Sequence, residues 1–309
     1  MEEVYLYDAL RTPRGKARAD GGLAGLTPPE LVGVLIDGLR ERTGDACANP
    51  GALLLGCVTQ SGAQGGHVAM AAKQYSGLPD DCAAQTLNNY CSSGLSAIGH
   101  GVAMVASGQE DRVLAGGIEM MSRVPFLSDR ADFYTDTALV PRRRFIPPVL
   151  AADRLAHVRG ITRAQLDACA LVSQQRAEGS DADPVLQASR LAAGKLTGEE
   201  CIRRGTTAER LAALPGAFGA LQADYAEALE GETFEALHSL SHAPPICDGA
   251  GLALLGTRGL GPSPRARVLA YAESGGDPAA SLTAGFAAMD KALARAGLGL
   301  GAMDRIEFM

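Results

Sequence analysis

Tryptophan is absent, and aromatic residues of all kinds make up only 5% of the chain. A sequence rich in alanine and glycine and poor in large rings suits a layered fold whose elements pack through small side chains. No stretch reaches the roughly 18 consecutive apolar residues of a membrane span, so none is expected. An excess of basic charge is also missing: 28 Lys and Arg face 35 Asp and Glu, for a net charge of -7. That balance argues against a general nucleic-acid surface and against an anionic-membrane surface. The opening residues, Met1-Glu2-Glu3-Val4-Tyr5, have neither a basic start nor a long apolar core. No secretion signal is therefore expected, and the expected location is cytoplasmic. The cysteines number seven, an odd count without paired spacing, which argues against a disulfide framework. The glycine pairs Gly21-Gly22 and Gly65-Gly66 do not make a dinucleotide fingerprint, because G-x-G-x-x-G after a strand is lacking.

What is present is a chain of 309 residues, 47% hydrophobic, with room for one large or two ordinary domains. Apolar patterning predicts strands at Val4 to Asp8, Ala52 to Val58, Cys82 to Leu87 and Arg112 to Ala115. Helices are predicted between them. One starts at Thr27-Pro28-Pro29-Glu30 and buries Leu31, Leu35, Ile36 and Leu39; the others span Val68 to Tyr75 and Ser92 to Ser107. Alternating strands and helices imply an α/β fold with a parallel sheet. From Glu119 the alternation stops, although Thr162-Arg163-Ala164-Gln165 reads as a capping box that opens a helix to about Ala177. Strand character returns at Leu252 to Leu255. The opening pattern then recurs in outline, with strands at Arg267 to Ala272 and Arg305 to Met309 around a helix at Phe286 to Ala296. A second copy that stops there would leave an apolar sheet edge unpaired, so the chain is expected to be either truncated or completed by another chain.

The residues that carry chemistry lie around Leu87-Asn88-Asn89-Tyr90-Cys91-Ser92-Ser93-Gly94-Leu95. Strand, polar turn, then helix places Cys91 at a helix N-terminus, where free N–H groups and the helix dipole favour a thiolate and a developing oxyanion. The competing reading is an inert buried thiol, since most cysteines are core. His67 and His100 could approach Cys91 in space, but their spacing singles out neither as a base. His238 and His242 have an i, i+4 spacing that a metal could use; with no third ligand nearby, surface or loop histidines are the better reading. Cys47, Cys57, Cys82, Cys169, Cys201 and Cys247 read as structural.

Asn88 to Ile98, followed by Gly116-Gly117-Ile118-Glu119-Met120-Met121-Ser122, resembles the nucleophile region of thiolases, an N-R-x-C-A-S-G-L-x-A-I block and then G-G-x-E-S-M-S. Further similarity lies at Asp8 to Lys16, at Leu55-Gly56-Cys57-Val58-Thr59-Gln60, at Gly160 to Ala177, at Asp248-Gly249-Ala250 and from Ala270 to Pro278. The resemblance implies a layered αβαβα fold of two pseudo-symmetric halves with an inserted loop domain. On that basis 1–118 is the half carrying the nucleophile and 119–245 the domain covering coenzyme A. Residues 246–262 return to the first half, and 263–309 begin an incomplete second half. It also implies an S-acyl enzyme on Cys91, formed from acetyl-CoA or a 3-ketoacyl-CoA, in thiolysis or Claisen condensation. The Cys91 N–H would serve as one oxyanion donor, and Met121 would pack by the acyl site. No permanently bound cofactor is implied; the coenzyme A thioester is the substrate. Arg142, Arg143 and Arg144 could meet its phosphates, and equally read as a solvated charge run. The implied assembly is a homodimer or homotetramer, or a pairing with a chain that completes the second half.

The departures define the alternative, a non-catalytic thiolase-like subunit that binds acyl-CoA or a partner. The family's catalytic His, in a G-H-P block, and its second Cys, in a C-x-G block, are expected beyond Met309. An ungapped match sets Met309 where the Asn of an N-E-A-F block stands, and a thioether does not replace an amide. Pro244 occupies the position of a Ser that contacts the pantetheine arm, and proline has no N–H to donate.

Overall fold

A computed structural model describes residues 2–307. The strands are β1 (Val4–Arg11), β2 (Gly15–Lys16), β3 (Ala52–Gly56), β4 (Ala83–Leu87), β5 (Arg112–Met120), β6 (Cys247–Gly256) and β7 (Ala266–Val268). The α-helices before the long central region are α1 (Pro28–Thr43), α2 (Asp45–Ala48), α3 (Val68–Tyr75) and α4 (Ser93–Ala106). Those that follow are α5 (Pro148–Arg159), α6 (Arg163–Ser180), α7 (Pro184–Ala188), α8 (Ala208–Ala212), α9 (Leu221–Asp224) and α10 (Ala284–Ala296). None of the described helices is long and apolar enough to cross a membrane.

The chain divides into two compact units. The first runs through Asp129 and includes Ser180–Cys201 and Pro245–Tyr271; the second comprises Arg130–Gly179, Ile202–Pro244 and the chain from Ala272 onward. The first unit holds a sheet in the order β4-β3-β5-β6-β1-β7, with β2 paired to β6. Only β4, β3 and β5 are parallel neighbours; β6 is antiparallel to both β5 and β1, and β7 is antiparallel to β1. The sheet is therefore mixed, not parallel as alternation predicts. The reason is that β6 enters after the long central excursion instead of a helical crossover, and runs the other way between β5 and β1.

Period-two alternation sorts side chains onto the two faces. Leu53, Leu55 and Leu114 join Leu31, Leu35, Ile36 and Leu39 of α1 and Val68, Ala69 and Ala72 of α3. Ala52, Leu54, Val113 and Ala115 point the other way, to Ala97, Met104 and Val105 of α4. The unbroken Ala-Leu-Leu-Leu run of β3 is thus a strand buried on both faces, with every residue buried. α1 begins as its sequence requires: Thr27 N–H donates to Glu30 Oε2 at 2.7 Å and Glu30 N–H donates to Thr27 Oγ1 at 3.4 Å.

The second unit has a smaller core of Ile146, Leu150, Ala228, Leu229 and Phe234. Beside it, Phe145 packs against Phe133, Tyr134 and Tyr225 with ring centroids 6.0, 5.0 and 6.3 Å away. The capping box at Thr162 and Gln165 is present, and its helix, α6, runs to Ser180, past Ala177. The strand expected at Arg267 to Ala272 is the three-residue β7 at the edge of the first sheet. Residues 305–307 form no strand. Phe308 and Met309, including the position matched to the Asn of N-E-A-F, lie outside the described residues.

Candidate active site

β4 ends at Leu87, whose carbonyl accepts from Cys57 N–H at 3.0 Å, so the ends of β3 and β4 stay in register beyond the named strands. Five residues then turn the chain into α4. Tyr90 has φ +48°, a left-handed conformation that disfavours a non-glycine residue, and it immediately precedes Cys91. Hydrogen bonds hold the turn. Ser93 Oγ accepts from Asn89 N–H at 2.8 Å and donates to the Tyr90 carbonyl at 2.5 Å. Ser96 Oγ accepts from Asn89 Nδ2 at 2.8 Å. Ser93 and Ser96 are buried, whereas Cys91 is exposed. A sealed thiol at this position is thereby excluded.

No side chain caps α4. Its first turn rests directly on the strands. A Cβ at Gly56 would lie 2.2 Å from the Ser93 carbonyl carbon, and one at Gly117 would lie 3.2 Å from Gly94 Cα. Glycine at these points lets backbone meet backbone, which brings the positive end of the α4 dipole to the ends of β3 and β5.

The end of β5 is fixed by buried polar groups. Glu119 Oε2 accepts from Val58 N–H at 2.9 Å, and Glu119 Oε1 accepts from Gln64 Nε2 at 2.5 Å. Gln64, fully buried, also accepts from Met120 N–H at 2.6 Å. Two residues past the strand, Ser122 donates through N–H and Oγ to Asp248, at 2.8 and 2.6 Å. Asp248 is fully buried at the start of β6, so β5 and β6 are tied where both leave the sheet. Met121 stands half-buried between these anchors. Sequence reasoning missed Gln64, Ser93 and the hydrogen-bonding role of Ser96. The available signal was a pair of hydroxyls at i and i+3 just after a polar turn.

The other cysteines fall into distinct classes. Burial pushes the Cys47 and Cys82 thiols up to about 11 and Cys57 up to about 12, so these three are inert at neutral pH. Cys201 and Cys247 are neighbours, and their interaction raises the pKa of the Cys201 thiol and lowers that of Cys247. Cys169 is exposed on α6, away from any strand-to-helix turn.

Three of the histidines have partners away from Cys91. His67 begins α3 with φ +81°, and its Nδ1 lies 3.1 Å from Met70 N and 3.2 Å from Thr86 Oγ1. His100 is exposed on α4. His238 Nδ1 lies 2.6 Å from Asp153 Oδ1, and His242 Nε2 lies 2.8 Å from Asp167 Oδ1. The i, i+4 pair lies in a loop, as expected, with a carboxylate partner for each ring, and no group of three metal-ligating side chains occurs among the described residues.

Cys91 and Met121 belong to the first unit; Arg142, Arg143, Arg144 and Pro244 belong to the second. The basic run divides. Arg142 and Arg143 are exposed. Arg144 is committed to the Leu139 and Thr137 carbonyls at 2.9 and 2.8 Å and to an ion pair with Glu227. Pro244 is exposed.

Residues 4–224 match the family described as "Thiolase, N-terminal domain". A beta-ketoadipyl-CoA thiolase of Pseudomonas aeruginosa is 31% identical, over 99% of this chain and 79% of the relative. A 3-ketoacyl-CoA thiolase of Shewanella frigidimarina is 31% identical over the same shares, 99% and 79%. A beta-ketoadipyl-CoA thiolase of Escherichia coli is 28% identical over 99% of this chain and 80% of its own length. With the mixed α/β sheet and the exposed cysteine at its strand-to-helix turn, these matches establish that the chain belongs to the thiolase family, acyltransferases of acyl-CoA.

Proposed function

We propose that Cys91 carries the acyl group in a two-step transfer from acetyl-CoA or a 3-ketoacyl-CoA, the second substrate class being the one named for the Shewanella relative. The observation that carries this reading is the exposed Cys91 thiol at the uncapped N-terminus of α4. In the first step the thiolate sulfur bonds to a carbonyl carbon, that of the thioester when acetyl-CoA is the donor and that of the 3-keto group when a 3-ketoacyl-CoA is. The carbonyl oxygen becomes an oxyanion that N–H groups of the turn and first helical residues stabilise. Collapse of that intermediate breaks the bond to the coenzyme A sulfur of acetyl-CoA, or the C2–C3 bond of a 3-ketoacyl-CoA; the coenzyme A thiolate or the acetyl-CoA enolate leaves and takes a proton, and the acyl group remains on Cys91. In the second step the bond to the Cys91 sulfur breaks and the acyl group passes to an acceptor, the thiol of coenzyme A in thiolysis or the enolate of a second acetyl-CoA in condensation.

Residues 119–245 would cover the coenzyme A. Arg142 and Arg143, exposed and outside the ion pairs that hold Arg144, are the members of the basic run suited to phosphate contacts. Met121 would line the acyl site. The assembly consistent with this reading is a homodimer or homotetramer, or a pairing with a second chain. The rival, a non-catalytic subunit that binds acyl-CoA, draws on Pro244, which has no N–H to donate where the family pattern has a Ser. Titration of coenzyme A thiol released on mixing with acetyl-CoA separates the two. The enzyme reading predicts a burst of about one thiol per chain that Cys91→Ala abolishes. Binding of acetyl-CoA without thiol release supports the rival.

A further inference from the structure

We propose that Glu119 is a positioning residue for Cys91, acting through Val58 and Asn88 on the turn that presents the thiol. The inference rests on Cys91 being the acyl carrier.

The connection is continuous. Glu119 Oε2 accepts from Val58 N–H at 2.9 Å. The Val58 carbonyl, on the same residue, accepts from Asn88 Nδ2 at 3.2 Å. Asn88 Oδ1 then accepts from Tyr90 N–H at 2.9 Å. Tyr90 is the residue held at φ +48°, and Cys91 follows it. A non-glycine residue in that conformation needs its surroundings to hold it there, and a hydrogen bond to its own N–H does so. The far end is equally fixed. Glu119 Oε1 accepts from Gln64 Nε2 at 2.5 Å, and that side chain is fully buried and accepts from Met120 N–H at 2.6 Å. The two carboxylate oxygens thus join the end of β5 to the loop after β3, and the amide of Asn88 joins that loop to the nucleophile turn.

A carboxylate is required at the junction because both groups facing it, Val58 N–H and Gln64 Nε2, are donors. A Gln side chain in its place has one oxygen and one NH2, so one donor would meet a donor. The chain then loosens at Val58, and Tyr90 can relax toward negative φ. Cys91 would move relative to the N–H groups of α4 that stabilise the oxyanion. Displacements of about 1 Å at a reacting group cost on the order of 100-fold in rate.

The test compares two reactions of the same sulfur in Glu119→Gln, Asn88→Ala and the double variant. Acetyl transfer from acetyl-CoA needs the oriented turn; alkylation by iodoacetamide needs only an accessible thiolate. Each single variant is expected to slow acetyl transfer to Cys91 by about 10- to 100-fold, with alkylation changed less than about twofold. The double variant is expected to be no slower than the worse single one, because both changes cut one chain of contacts. Asn88 is exposed, so Asn88→Ala carries the test should Glu119→Gln fail to fold. Acetyl transfer at the wild-type rate in Asn88→Ala, equal losses in both reactions, or additive losses in the double variant would each overturn the proposal. A wild-type protein whose Cys91 takes no acetyl group would instead overturn the reading of Cys91 itself, and the positioning role with it.

Discussion

At Gly56, the first turn of α4 lies against β3 with no side chain between them; at Asp153, side chains do the joining. The sheet unit adds backbone approach and apolar alternation to the carboxylates Glu119 and Asp248 that tie its strand ends. The second unit, around α5 and α6, adds to its apolar core two aspartates that each meet a histidine far along the chain. Asp153 Oδ1 accepts from Leu237 N–H at 3.0 Å, from His238 N–H at 2.9 Å and from the His238 ring at 2.6 Å. Asp167 takes both Arg163 and His242, at 2.9 and 2.8 Å. The first arrangement has almost no freedom and suits a nucleophile that must be held still. The second includes the imidazole of His242, whose folded-state pKa is lowered by burial, so stability there varies with pH.

Breaking each arrangement in turn gives a ranked set of effects. Gly56→Ala is expected to have the largest. Its methyl group would fall on the Ser93 backbone, not on a flexible side chain, so α4 must shift. A loss of about 3 kcal/mol is expected, measured by denaturant unfolding, together with loss of acetyl transfer to Cys91. Asp153→Ala comes next. It strands two backbone N–H groups and the His238 ring N–H in a buried place, for about 2 kcal/mol. It is expected to leave iodoacetamide alkylation of Cys91 unchanged, and a fall in that rate would mean the two arrangements are not separate.

The third effect is the smallest and depends on pH. Burial holds the His242 imidazole below its ordinary 6.5, against the opposing pull of Asp167. Its Nδ1 accepts from Ser239 N–H at 2.9 Å, which requires the neutral ring. As pH falls below 6.5 the unfolded chain protonates this ring before the folded one does. The stabilising contribution is therefore complete above that value and is lost as pH falls through the folded pKa. Unfolding at about pH 7.5 and about pH 5.5 should show lower stability on the acid side. His242→Gln should remove most of it. An unchanged pH dependence in that variant would assign the effect to other groups.

The same contrast explains what the sequence made legible. α3 lies where its periodicity puts it, Val68–Tyr75, and β3 and α1 lie within a few residues of theirs, because alternation and a capping box are local signals. The placement of Cys91 at a strand-to-helix turn was legible because strand, polar turn and small-residue helix are contiguous. The antiparallel entry of β6 was not, since no local pattern reports which way a strand returns after a long excursion. The pairing of Asp153 with His238, 85 residues apart, was equally invisible. His238 and His242 look like a metal pair by spacing, and only the fold shows that each ring faces an aspartate. Glu119 stood out as part of a family-like string, but its hold on Val58 and Gln64 is a property of the folded loop.

The most direct measurement is peptide mapping by mass spectrometry after incubation with acetyl-CoA and rapid acid quench. The account predicts an acetyl group on the peptide containing Cys91, absent from the Cys91→Ala protein and absent from the peptides containing Cys169 and Cys247. Acetylation of another cysteine with Cys91 unmodified, or an unmodified chain throughout, would contradict it.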